Sequence, residues 1–112
     1  MAVPERALRQ VEEYCALRVS EDARDQIRVE CSARGRAITI AERRPPWNPD
    51  LGSEWSEVKV AQLRYDEGRG AWLLCCSDSN GRWWEYDELG PTKEVGPLLN
   101  EIDADPTGIF WG

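Results

Sequence analysis

Between Gln26 and Tyr86 the apolar residues recur at a period of two, in runs separated by glycine-bearing turns. Ile27, Val29, Cys31 and Ala33 alternate with Arg28, Glu30, Ser32 and Arg34, the pattern of a strand with one face buried and one wet. Gly35-Arg36 interrupts it, and Ile38 and Ile40 resume it as far as Glu42-Arg43-Arg44, where Pro45 and Pro46 end it. Residues 26–44 therefore read as a hairpin. A chain built this way is committed to an antiparallel sheet.

Val58 to Tyr65 is a third strand whose parity slips: Val58 and Val60 belong to one face, Leu63 and Tyr65 to the other. A bulge near Ala61-Gln62 reconciles the halves by adding one residue. Asp66-Glu67-Gly68-Arg69-Gly70 is a hairpin connection. Ala71 to Cys76 is the least polar run, which predicts a central strand covered on both faces. Ser79-Asn80-Gly81 is an Asn-Gly turn, and Arg82 to Tyr86 is the fifth strand.

The flanks change period. From Pro4 to about Val19, Leu8, Val11, Tyr14, Cys15 and Val19 fall three or four apart, as on one face of a helix. Ser20 to Asp25 is a polar connection with room for a single helical turn. Val95, Leu98, Leu99 and Ile102 mark a second helix over about Lys93 to Asp103, with Thr92 as its natural cap. Gly96-Pro97 distorts its first turn or moves its start to Pro97, because proline inside a helix removes a hydrogen bond and clashes with the preceding turn. The expected fold is α+β: a five-stranded antiparallel meander sheet flanked by an N-terminal and a C-terminal helix, with an aromatic C-terminal tail.

At 112 residues the chain is the size of one domain, with enough core to need no disulfide or metal staple. It holds no apolar stretch of about 20 residues and no signal-peptide pattern, so a cytoplasmic protein without a membrane partner is expected. Cys75 and Cys76 are adjacent, point to opposite faces of a strand and cannot jointly pinch one ion. With Cys15 and Cys31 they read as buried free thiols.

The net charge of −7 is uneven. Residues 1–44 carry 9 Arg against 8 acidic residues, whereas residues 78–112 carry 2 basic against 8 acidic. The acidic third repels phosphates, which disfavours a nucleic-acid partner, while the first third can present arginines to an anion.

Three stretches carry a resemblance: Glu42-Arg43-Arg44-Pro45-Pro46-Trp47, Gly81-Arg82-Trp83-Trp84-Glu85-Tyr86-Asp87, and Glu101 to Gly112, ending in Asp-Pro-Thr-Gly-Ile-Phe-Trp-Gly. They resemble the DUF3024 family, a group of small, mostly bacterial proteins named for a domain of unknown function. The resemblance implies one domain over nearly the whole chain, residues 1–112, and carries no activity with it.

Histidine is absent, which removes Ser-His-Asp and Cys-His pairs and any histidine base near neutral pH. No glycine-rich phosphate loop occurs, and no cofactor is called for. Carboxylates alone could act with Mg²⁺: Glu85 and Asp87 share a strand face, and Asp103 and Asp105 flank the end of the second helix. Solvation explains all four without a substrate, and Asp105, ahead of Pro106-Thr107-Gly108, is placed to accept backbone amides and fix the exit of the tail.

The rings offer more. Trp83 and Trp84 face opposite ways, so one can enter the core while the other is buried only if Trp47, Trp55 or Phe110-Trp111 covers it. The expectation is that the proline-rich loop and the tail pack together over the sheet face away from the helices; the competing picture is an exposed aromatic groove for a peptide. If Arg44, Arg64 and Arg82 converge beside Trp47 and Trp83, they make a site for a carboxylate, a phosphate or a stacked base. The reading is thus a non-enzymatic binding or interaction protein using a Trp/Arg-lined sheet face, with Arg44, Trp47, Arg82 and Trp83 as candidate ligand-binding residues. Its partner is a protein, a peptide or a small anionic ligand. The alternatives are a carboxylate- and Mg-dependent enzyme acting on a phosphorylated substrate, and a local binder of single-stranded nucleic acid.

Overall fold

The computed structural model describes residues 3–46, 48, 50, 52 and 54–111. Helix α1 (Glu5–Arg18) leads through a short 3₁₀ turn (Glu21–Ala23) into strands β1 (Arg28–Arg34), β2 (Ala37–Arg44), β3 (Ser56–Asp66), β4 (Ala71–Ser77) and β5 (Trp83–Glu85), and helix α2 (Gly96–Ala104) follows. The strands form one sheet in chain order, each antiparallel to the next. This is the meander that the alternation predicts.

Turn chemistry sets the register. Gly35 takes φ 59°, a left-handed conformation that costs a glycine little, and closes β1 onto β2 with Arg34 opposite Ala37. The parity slip is a bulge: Ile40 faces Ala61 but Ala41 faces Lys59, leaving Val60 as the extra residue, one position before the expected site. The last hairpin is a three-residue loop rather than a two-residue Asn-Gly turn. Asp78 and Arg82 close it, and Gly81 sits at φ 79°.

One face of the sheet packs on both helices. Val11 and Cys15 of α1, with Leu98, Leu99 and Ile102 of α2, meet Ile38, Ile40, Leu63, Trp72 and Leu74 in a core where Ile38, Ile40, Leu63, Leu98 and Ile102 are fully buried. The helices are also joined at their rims, where the Tyr14 hydroxyl and Arg18 both donate to Asp103 at 3.1 and 3.2 Å. Burial and the adjacent Asp103 carboxylate push the Tyr14 phenol up to about 12.

Three expectations are corrected. Thr92 does not cap α2: its backbone bridges Trp72, its hydroxyl donates to the Glu94 carbonyl, and α2 starts at Gly96 with Pro97 in the first turn, where its missing amide hydrogen has no helical partner to lose. The tail does not join the proline-rich loop over the far face. Asp105 ends α2 in a left-handed conformation (φ 44°), and its carboxylate accepts the Phe110 and Trp111 amides at 3.0 and 2.9 Å, turning the chain back onto the helix side. There Phe110 packs against Tyr86 with ring centroids 5.1 Å apart, and the Trp111 indole donates to the Ile102 carbonyl. Finally, neither Trp83 nor Trp84 enters the core. Tyr86, Trp72 and Phe110 fill it instead, while Trp84 stays 56% exposed on a three-residue strand beyond the reach of the helices.

Candidate functional site

The second face of the sheet is built by the same alternation. Arg28, Glu30, Ser32 and Arg34 of β1 point away from the helices, opposite Arg43, Ala41, Thr39 and Ala37 of β2. Across β2 the register continues to Glu57, Lys59, Gln62 and Arg64 of β3. The bulge at Val60 matters here. It keeps Lys59 in the same layer as Gln62 and Arg64, which strict alternation would not.

The geometry is a shallow trough. Its floor along β2 is short, Ala37, Thr39 and Ala41, with Thr39 accepting from Gln62 Nε2 at 3.1 Å. Its walls are long and cationic, with Arg28 and Arg34 on one side and Lys59 and Arg64 on the other. Arg28 and Arg34 lie six residues apart, about 20 Å along a strand, the span of roughly six or seven extended residues.

Two indoles hold cations at the rim. The Arg28 guanidinium lies 4.4 Å from the Trp55 ring centroid, and the Lys59 ammonium lies 5.6 Å from that of Trp83 while donating to the Gly81 carbonyl at 3.2 Å. Arg43 pairs with Glu30 at 3.4 Å, and its Nε is buried without a hydrogen-bond partner among the described residues. By contrast, Arg28, Arg34, Lys59 and Arg64 have no carboxylate partner among the described residues, whereas Arg9, Arg18, Arg36, Arg44 and Arg69 elsewhere are ion-paired. In a chain of net charge −7, this face gathers four of the cations that have no carboxylate partner among the described residues. Acidic residues interrupt the walls: Glu30, paired with Arg43, stands between Arg28 and Arg34, and Glu57 stands opposite Arg43 in the row of Arg28.

The residues singled out from sequence separate. Trp83 lies on this face. Arg44 lies on the opposite one, its Nε bonded to Glu42 at 2.7 Å. Arg82 is an exposed turn residue whose backbone amide donates to Asp78, and Trp47 lies outside the described residues. Arg64 shares the face with Trp83, and its Nε donates to Gln62. Arg28, Trp55 and Lys59 are absent from the sequence-derived set, although the parity of β1 already places Arg28 and Arg34 outward. A bulge anywhere from Val60 to Gln62 also places Lys59 and Trp55 on this face; what the sequence does not show is the pairing of Arg28 with Trp55 and of Lys59 with Trp83.

Of the four carboxylates weighed from sequence, Asp103 and Asp105 are committed to structure, whereas no side-chain hydrogen bond or ion pair holds Glu85 or Asp87 among the described residues and Asp87 lies beyond the end of β5. Asp103 holds Arg18 and Tyr14, Asp105 holds the tail, and Asp78 organises its hairpin. The Trp84 indole and the Arg82, Asn80 and Gly81 amides hold the Asp78 carboxyl below its ordinary range. Among the described residues no group of three or more Cys, Asp or Glu is placed to hold a metal ion. No helix among them is long and apolar enough to cross a membrane.

The fold and this face define a small α+β sheet domain with one helix-covered side and one cationic side. The chain belongs to the DUF3024 family, described as a domain of unknown function, whose profile matches residues 2–112. Neither a curated protein nor a solved structure matches it.

Proposed function

We propose that this domain is a binding module whose cationic sheet face takes an extended, acidic segment of a partner protein. The observation that carries the reading is the coincidence, on one face, of four cations without carboxylate partners and two indole-held cation sites. The short floor admits a backbone, the walls supply charge, and the 20 Å span suits a stretch of about seven residues. Arginine and tryptophan dominate the energetics of protein contacts, because both bring wide apolar area with a polar handle. Trp83 stays in the proposed site from the sequence reading, and Arg28, Trp55, Lys59 and Arg64 complete it. The acidic remainder of the chain repels any extended polyanion at longer range, which favours a short acidic segment confined to this face over a long nucleic acid. Cytoplasmic placement is part of the proposal, supported by four cysteines that are all unpaired.

The test is a calorimetric titration with a heptaglutamate-containing peptide, set against a single-stranded oligothymidylate and a neutral peptide of equal length. The reading expects saturable binding to the acidic peptide, weakened by salt and lost in an Arg28→Ala/Lys59→Ala variant that melts like the wild type. Tighter binding of the oligonucleotide would replace the peptide reading with a nucleic-acid one, and equal affinity for the neutral peptide would remove the charge argument.

A further inference from the structure

A second cleft, of about 410 Å³, runs between the second half of α1 and β1, sharing Arg28 and Glu30 with the edge of the cationic face, and two cysteines line it. Cys15 stands on the inner face of α1, one turn after Val11, and is 4% exposed. Cys31, in β1 opposite Ile40, is half-buried. Both thiols line this one cleft, one from the helix and one from the strand facing it. They come from elements far apart in local geometry, which is why sequence spacing gave no hint of a pair.

We propose that Cys15 and Cys31 form a dithiol that reduces low-molecular-weight disulfides carrying both carboxylate and ammonium groups, closing to an intramolecular disulfide as it does so. The cleft is within the size range of small-molecule sites. Its wall is zwitterionic: Arg24 and Arg28 face the opening with Glu12 and Glu30, so a ligand bearing both charges can be matched. Arg24 spends one nitrogen on the Ala16 carbonyl and Arg28 spends Nε on the Arg24 carbonyl, and the remaining guanidinium edges have no carboxylate partner among the described residues.

The geometry orders the steps. The neighbouring Cys15 thiol lowers the Cys31 thiol pKa, against opposing contributions from burial and from Glu12 and Glu30. The same proximity, with burial and Glu12 and Glu30, pushes Cys15 up. The Cys31 thiolate, the more exposed of the two, attacks one sulfur of the small disulfide and expels one small thiolate, leaving a mixed disulfide. Cys15 then loses its proton to solvent or to the departing thiolate and attacks Cys31 Sγ, forming the Cys15–Cys31 bond and expelling the second small thiol. Two protein thiols are oxidised and one external disulfide is reduced to two thiols, so electrons and protons balance. Cys75 and Cys76, on opposite faces of β4 and both raised by burial, take no part.

The experiment incubates the reduced full chain with oxidised glutathione, quenches with acid, alkylates free thiols under denaturing conditions and maps disulfide-linked peptides. A Cys15–Cys31 crosslink is expected, with Cys75 and Cys76 alkylated. Cys15→Ser should stop at a glutathione mixed disulfide on Cys31, and Cys31→Ser should react about tenfold more slowly than wild type. Wild-type protein under limiting oxidant supplies the same information without a substitution, because the transient mixed disulfide should be found on Cys31. No crosslink, a stable mixed disulfide in the wild type, or first attack at another cysteine would overturn the dithiol. A rate with neutral hydroxyethyl disulfide equal to that with oxidised glutathione would overturn the zwitterionic ligand class.

Discussion

Asp105→Ala should detach the C-terminal tail. In the native chain this one residue does three things: it ends α2 in a left-handed conformation, accepts the Phe110 amide at 3.0 Å and accepts the Trp111 amide at 2.9 Å. Hydrogen bonds to a charged acceptor contribute about 1.5–3 kcal/mol each, toward the low end where the freed donors regain water. A left-handed Cβ adds about 1–2 kcal/mol for alanine, which lacks the local hydrogen bonding that lets aspartate visit that region. The expected loss is about 4–5 kcal/mol, which for a chain of this length lowers Tm by roughly 15–20 °C. Phe110, 6% exposed against Tyr86, should be released with the clamp. Asp105→Asn keeps one acceptor oxygen and tolerates the conformation, so it should lose about half as much. Asp105→Gly removes the acceptors but not the conformational ease and should fall between the two. Urea and thermal denaturation followed by circular dichroism measure the series, with near-ultraviolet signal reporting the Tyr86 and Phe110 rings. A loss below about 0.5 kcal/mol for alanine, well under the value of one charged hydrogen bond, refutes the clamp. So does an asparagine variant as damaged as alanine.

Alkaline stability should depend on two phenols. Tyr14 and Tyr86 are raised from 10.0 to about 12, in both cases first by burial and then by a carboxylate, Asp103 for one and Glu101 for the other. Since the folded values lie above the unfolded ones, the stabilisation is complete below pH 10 and is lost as pH rises from about 10 to 12. A Tyr14→Phe/Tyr86→Phe protein should start less stable and show a shallower decline in urea midpoint over that window; parallel curves would contradict this. Ile38→Ala, at a fully buried position, should cost about 2–5 kcal/mol by equilibrium unfolding, whereas Leu17→Gln, at 87% exposure, should be nearly neutral. Asp78→Ala should free the Trp84 indole, now 2.8 Å from the Asp78 carboxylate, and shift its indole N–H resonance while leaving that of Trp72 in place.

Much of this architecture is legible in the chain. Alternation on β1 and β2 fixes which of Arg28 to Arg44 faces water, and the glycines at 35, 70 and 81, all with positive φ, mark the turns. Asp105 could be read as a tail-holding residue because an aspartate before Pro-Thr-Gly has few other backbone amides to meet. What alternation cannot give is the consequence of one inserted residue. Val60 bulges one position before the expected site, but a bulge anywhere from Val60 to Gln62 leaves Lys59 and Trp55 on the same face, where strict alternation without one would not. The fate of the tail is harder to read, since its reversal needs Asp105 in a left-handed conformation as well as Gly108 at φ 73°, and the positive φ of a non-glycine residue has no sequence signal of its own. Arg44 and Trp83 looked like neighbours because both adjoin aromatic clusters, yet parity about the strands sends them to opposite faces.

The binding reading is tested most directly by following the tryptophan indole N–H resonances of the ¹⁵N-labelled chain during titration with the acidic peptide. Trp55 and Trp83 hold two of the four unpaired cations of the trough, Trp72 is 3% exposed in the core, and Trp111 is engaged with Arg18 and Ile102 on the helix side. The trough predicts that Trp55 and Trp83 move together along one saturable curve while Trp72 and Trp111 stay still. Movement of Trp111 with Trp55 and Trp83 unchanged would put the ligand on the helix side and contradict the assignment.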